Sequence, residues 1–413
     1  MLGVAAALVV PCEALAAEIT VNYVRAGDGF HADAAPDPDS PAPGATLGAQ
    51  RKASFEAAAA NWARRLASSV PITVDALMVA LPCNSSAAVL GAAGTASVHA
   101  DWLPADGGEP PPLAGTWYPA ALADRIAATD LSTGSEIGAT FNSALDGNDT
   151  CLRGVDWHYG VTGGPAPAGT ISFFTTVLHE IGHGLGVSTL TSTTSGAQFM
   201  GAPDVFSRFL VDGSLGLPWD RLSPAQRVAS AIDTGDLVWG GAAVTAAAGV
   251  LDSGTSGGRV RMYAPNPVRP GSSVSHFDTA LRAAGTEELM EPFATGRESV
   301  LLVDELLEDI GWGSVDGGRL CGSGRFELGE CCGDVDLNGT VSIADAYLIL
   351  RSTVGQAVAC AADLCDVDGS GSITTADALM VMRRAVGLAI DFTCSGQSLH
   401  ATKPAAPFAR ETY

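Results

Sequence analysis

An α+β domain followed by a small α-helical metal-binding module is the fold this 413-residue sequence predicts. Short segments of apolar–polar alternation are interleaved with segments whose apolar residues recur at helical spacing, the order expected of one sheet with helices packed on it. One helical segment carries His179-Glu180-Ile181-Gly182-His183. Beyond residue 332, a twelve-residue acidic pattern occurs twice, beginning at Asp334 and at Asp366.

The elements follow in order. Residues 1–17 hold an apolar run ending in Ala14-Leu15-Ala16, which suits a signal peptide, although a basic start is missing. Ile19 to Val24 alternates as a strand, and a Pro/Asp/Ala-rich loop spans Asp33 to Gly44. From Gln50 to Ser68, Phe55, Ala59, Trp62 and Leu66 form one helical stripe. Further strands are expected at Ile72 to Met78, Ala96 to Leu103 and Ile137 to Ser143. The His179 helix begins at Thr170 or Ser172 as N-cap, repeats Phe173, Val177 and Ile181, and is expected to end in Gly182, Gly184 and Gly186. Ser223 and Pro224 open a helix reaching Ile232, and Val300 to Ile310 forms a last one, closed by Gly311-Trp312-Gly313. The expected domains are 18–313, a Gly/Cys-rich linker 314–331, the metal-loop module 332–394, and a disordered tail 395–413.

Composition narrows the function. A net charge of −23 argues against nucleic acid or an anionic membrane as partner, and no later apolar run reaches transmembrane length. Of the nine cysteines, Cys12 lies in the leader, leaving an even eight, which fits disulfides in an exported protein. Cys83 and Cys151 stand alone in the N-terminal half and are expected to pair. Cys321, Cys331, Cys332, Cys360, Cys365 and Cys394 cluster behind residue 320 with open connectivity.

His179 and His183 are one helical turn apart, so both imidazoles leave the same face and can share a zinc ion. Glu180 is rotated away from that ligand point and is placed to act as general base on a water held there. Catalytic zinc takes three protein ligands and leaves one position open. The pattern resembles the metzincin metallopeptidases, whose signature H-E-x-x-H-x-x-G-x-x-H this chain follows through Gly186, with Thr189 where the third His should stand.

Ser275-His276-Phe277-Asp278 and then Glu288-Leu289-Met290-Glu291-Pro292 resemble the delayed third His and Met-turn of leishmanolysin-type metzincins. That resemblance implies His276 as third zinc ligand, Met290 as an apolar floor beneath the metal, and a twisted sheet over the active-site helix. Asp204 is the alternative third ligand, while His158 reads as structural or substrate-facing. The implied activity is a secreted zinc-dependent endopeptidase acting on protein or peptide substrates. Tyr159 and Tyr263 are candidates for a second donor to the oxyanion. A non-catalytic extracellular binding protein on a degenerate zincin fold is the alternative, and Thr189 speaks for it.

In the acidic repeats, Asp334, Asp336, Asn338, the Thr340 carbonyl and Asp345 suit one Ca2+; Asp366, Asp368, Ser370, the Ser372 carbonyl and Asp377 suit a second. Side chains at positions 1, 3 and 5 converge on a hard cation, Gly at position 6 makes the turn, and position 12 closes the shell. Asp at position 12, with one helix per loop, resembles a type I dockerin, which implies docking on a cohesin-type partner.

Overall fold

The computed structural model describes residues 17–104, 107–161, 166–251, 253–284, 288–293 and 302–313, and toward the C-terminus 333, 335, 341, 343–354, 365–386, 388, 390 and 392. Residues 1–16, the linker 314–331, the tail 395–413, five of the six clustered cysteines, and Asp334, Asp336, Asn338 and Thr340 lie outside the described residues. The sixth, Cys365, is buried and disulfide-bonded. The chain divides into two compact units, Met1–Arg325 and Phe326–Tyr413, with the boundary inside the Gly/Cys-rich stretch.

The first unit is mixed α+β. Strand β1 (Ile19–Tyr23) leads through helix α1 (Leu47–Arg65) to β2 (Ile72–Val79). Then follow β3 (Gly91–Thr95), β4 (Val98–His99), β5 (Tyr118–Pro119), α2 (Ala120–Ala127) and β6 (Ile137–Asn142). Four of these strands form a sheet in the order β1-β2-β6-β3, parallel except for the β3–β6 pair. In β2 the alternation puts Ile72, Val74, Ala76 and Met78 on the buried face. Helix α1, capped by Thr46 on the Ala49 N–H, buries Phe55, Ala58, Ala59 and Trp62. After β7 (Asp156–His158) and β8 (Thr170–Ser172) comes α3 (Phe173–Leu185), which packs on α1, β3 and β6. Trp62 Nε1 donates to the Leu178 carbonyl at 2.9 Å and ties the two helices together. Phe173 is the hub of the aromatic core, with Phe30, Phe141, Trp157 and Tyr159 packed edge-on around it.

Two local expectations are corrected. The strand expected at 96–103 shrinks to Val98–His99, paired with Tyr118–Pro119, while the sheet's terminal strand is the Gly/Ala-rich β3. Gly182 and Gly184 do not end the zinc-motif helix; only Gly186, at φ 125°, does. The two interior glycines permit close approach instead. A Cβ on Gly182 would lie 2.9 Å from the Met290 sulfur, and one on Gly184 would lie 2.5 Å from Ile137 Cγ2.

The Pro224–Ser230 helix has Ser223 as its N-cap in a full capping box, and Val303–Ile310 ends in Gly311 at φ 118°. Cys83 and Cys151 form a disulfide. No helix among the described residues is long and apolar enough to cross a membrane. In the second unit, helices Ile343–Thr353 and Thr375–Ala385 pack on each other and occupy equivalent positions of the two repeats.

Candidate metal centre

Ser172 caps α3 by accepting the Thr175 N–H at 3.1 Å, which settles the choice between Thr170 and Ser172. From this start, His179 and His183 project from one face of the helix. A second chain segment supplies His276. The backbone of Tyr263 brackets that segment, donating to the His276 carbonyl and accepting from Val274, and Phe277 N–H donates to the Met290 carbonyl at 2.9 Å.

The three imidazoles converge on one point. His179 Nε2 and His183 Nε2 are 3.1 Å apart, and each lies 3.2 Å from His276 Nε2. Every Nδ1 lies 2.7 Å from a main-chain carbonyl: His179 at Leu289, His183 at Val187, His276 at Ser272. A carbonyl only accepts, so each Nδ1 carries the proton. Burial pushes His183 down to about 3, with His179 adding to the effect, and holds His276 well below the usual imidazole range. In neutral rings tied this way, all three Nε2 atoms present lone pairs to one another. Three facing lone pairs repel unless a cation stands among them. Four-coordinate zinc, with Zn–N of about 2.0–2.1 Å, sets neighbouring nitrogens about 3.3 Å apart, close to the observed triangle. The donor set therefore fits zinc.

Glu180 lies on the helix between His179 and His183 and is buried. Burial pushes its carboxyl up to about 8, against the pull of a hydrogen bond from the Ala93 N–H of β3. A Cβ on Gly91 would sit 3.1 Å from Glu180 Cγ. The terminal strand is thus made of small residues where it crosses the acid. Met290 is fully buried against α3 at Gly182.

Other expected residues lie elsewhere. Asp204 is not brought to the histidines: its oxygens accept from Thr189 Oγ1, the Leu190 N–H and the Ser207 N–H at 2.7–3.0 Å. Thr189, in the broken signature position, also donates its N–H to Ser275 Oγ and so fastens the segment that carries His276. Tyr159 is buried between Arg51 and Asp146, accepting from Arg51 Nε at 2.8 Å, and is not placed as an oxyanion donor. The Tyr263 ring packs edge-on against Phe293. His158 hydrogen-bonds Ser40. Sequence reasoning missed the Ala93 N–H, because main-chain donors leave no mark in residue identity.

In the second unit, a carboxylate oxygen from each of Asp366, Asp368 and Asp377 lies within 4.8 Å of the others. Asp366 accepts from the Ser370 and Gly371 N–H groups, the loop turns through Gly371 at φ 83°, and Asp377 caps its helix together with Thr374. The Ser370 hydroxyl donates to the Ser372 carbonyl. In the first loop, the buried Asp345 accepts from the Val335 N–H at 2.7 Å, and in the second Asp377 accepts from the Asp368 N–H, so each position-12 acid reaches back to the start of its loop.

Comparison with known families finds a type I dockerin domain at residues 332–384. No curated protein and no solved structure matches the chain.

Proposed function

We propose that this chain is an extracellular zinc endopeptidase of the metzincin class, leishmanolysin-like in its delayed third histidine, tethered through its C-terminal module. The dockerin module itself implies calcium binding and docking on a cohesin partner outside the cell. The observation that carries the peptidase reading is the Nε2 triangle of His179, His183 and His276, with every Nδ1 tied to a main-chain carbonyl.

When bound there, zinc would acidify a water and polarise a substrate carbonyl. The chain's own residues then account for the rest. Glu180, oriented by Ala93, accepts the water proton and delivers it to the leaving amine. β3 is the terminal strand of the sheet and runs past Glu180, so an extended peptide can pair with its outer edge and present a scissile bond at the histidines. Thr189, which speaks for a non-catalytic binding protein, is used as a tether while His276 supplies the third nitrogen. In the module, Tyr347 and Leu379, and likewise Val354 and Val386, are exposed apolar pairs at equivalent repeat positions and suit a docking surface.

The purified mature protein is expected to carry about one zinc per chain, as a three-histidine site implies. It should hydrolyse casein, lose activity to 1,10-phenanthroline and regain it with added zinc. Zinc-loaded protein without hydrolysis would favour the non-catalytic reading.

A further inference from the structure

The connection from α2 to β6 holds a second group of acids that the peptidase chemistry does not use. Asp124 near the end of α2, Asp130 in the turn, and Glu136 just before β6 each bring a carboxylate oxygen within 4.8 Å of the other two. Asp124 is 1% exposed and Glu136 4%, whereas Asp130 opens to solvent. Each acid spends one oxygen on a backbone N–H: Asp124 on Leu131, Asp130 on Ser132, Glu136 on Thr73. Asp124 Oδ2 is buried and has no hydrogen-bond partner. A buried, unsatisfied oxygen on a carboxylate grouped with two further acids is costly unless a cation or a proton joins it.

Among the described residues, no protein cation fills that role, and none of the salt bridges reaches these three acids. His99 feels the charge of Asp130, but burial outweighs it and lowers the imidazole pKa, which disfavours a cation there. Burial, with a smaller push from Asp130 and Glu136, raises Asp124 to about 6.

We propose that Asp124, Asp130 and Glu136 form a structural calcium site, separate from the two calcium loops of the C-terminal module. An all-carboxylate donor set selects a hard cation over zinc. Oxygens about 2.4 Å from a common calcium lie at most about 4.8 Å apart, and the exposed side at Asp130 leaves room for water ligands. The ion clamps the α2–β6 connection one residue before Ile137, the side chain against which Gly184 of the zinc helix packs.

All seven tryptophans lie between Trp62 and Trp312, so tryptophan fluorescence reads the melting of the first unit without interference from the module's own calcium. The full chain, stripped of calcium and held at constant zinc, is melted with and without added calcium, alongside Asp130→Asn. Calcium should raise the wild-type transition by several degrees, since a ligand bound only to the native state stabilises it. In Asp130→Asn that rise should be lost, while without calcium the variant melts at or above wild type because one repelling charge is gone. Equilibrium dialysis should show one calcium fewer per chain in the variant. Equal calcium content and an equal calcium response in the two proteins would overturn the proposal, leaving Asp124 Oδ2 to hold a proton. In that case Asp124→Asn, which supplies its own hydrogen, should melt above wild type whether or not calcium is present.

Discussion

Three carbonyls from three different segments, those of Leu289, Val187 and Ser272, fix the tautomer of each metal-facing histidine. The groups that orient the three imidazoles are therefore main-chain atoms, which sequence does not display. His179, Glu180 and His183 were legible because one helical turn fixes their geometry. His276 was legible only through resemblance, since nothing in the sequence separation of 93 from His183 dictates their meeting. Asp204 was the alternative donor, yet its lone pairs serve Leu190, Ser207 and Thr189. His276→Ala should lower zinc content sharply in dialysed protein, as a two-ligand site rarely holds its metal. Asp204→Ala should keep zinc but lose about 1–3 kcal/mol of stability for its stranded backbone donors. Metal content that survives at 276 and collapses at 204 would reverse these assignments.

At the scale of elements, the alternating strands and helix α1 could be read from sequence because their periodicity reports which face is buried. Helix α3, buried at every residue but His179 and His183, was read from its N-cap and its His-Glu-x-x-His spacing. Strand β3 could be read in neither way. Its residues Gly91-Ala92-Ala93-Gly94-Thr95 carry no alternation, being small where Glu180 crosses beneath them. Helix α2 escaped for a related reason: every residue of Ala120–Ala127 except Arg125 is buried, so no polar face marks its period. The glycines of α3 were misread as a terminator, whereas two of them admit Met290 and Ile137. Gly184→Ala should consequently destabilise the first unit by about 1–3 kcal/mol in denaturant melts, as overpacked cores do. Adding Ile137→Val should recover part of that loss. By contrast, Gly94 has open space within 4 Å of where a Cβ would stand and should accept Ala at little cost. Equal losses at positions 94 and 184 would contradict the close-packing account.

For the whole molecule, the repeat in the sequence translated directly into two helices at matching positions, because the ligand spacing of a calcium loop is set by local chain geometry. On the proposed reading, docking and hydrolysis belong to separate units and should fail separately. Asp366→Ala with Asp377→Ala should abolish calcium-dependent cohesin capture while casein hydrolysis stays within about twofold, the additivity expected of sites that share no partner residues. Hydrolysis lost together with docking would show that the units are coupled.

The central claim is that Glu180 works as a general base beside a three-histidine zinc site. Casein turnover by wild type and by Glu180→Ala, each verified to carry the same zinc per chain, tests it most directly. Removing the base while the ligands remain is expected to lower kcat by at least ~100-fold. Undiminished turnover at equal zinc would contradict it.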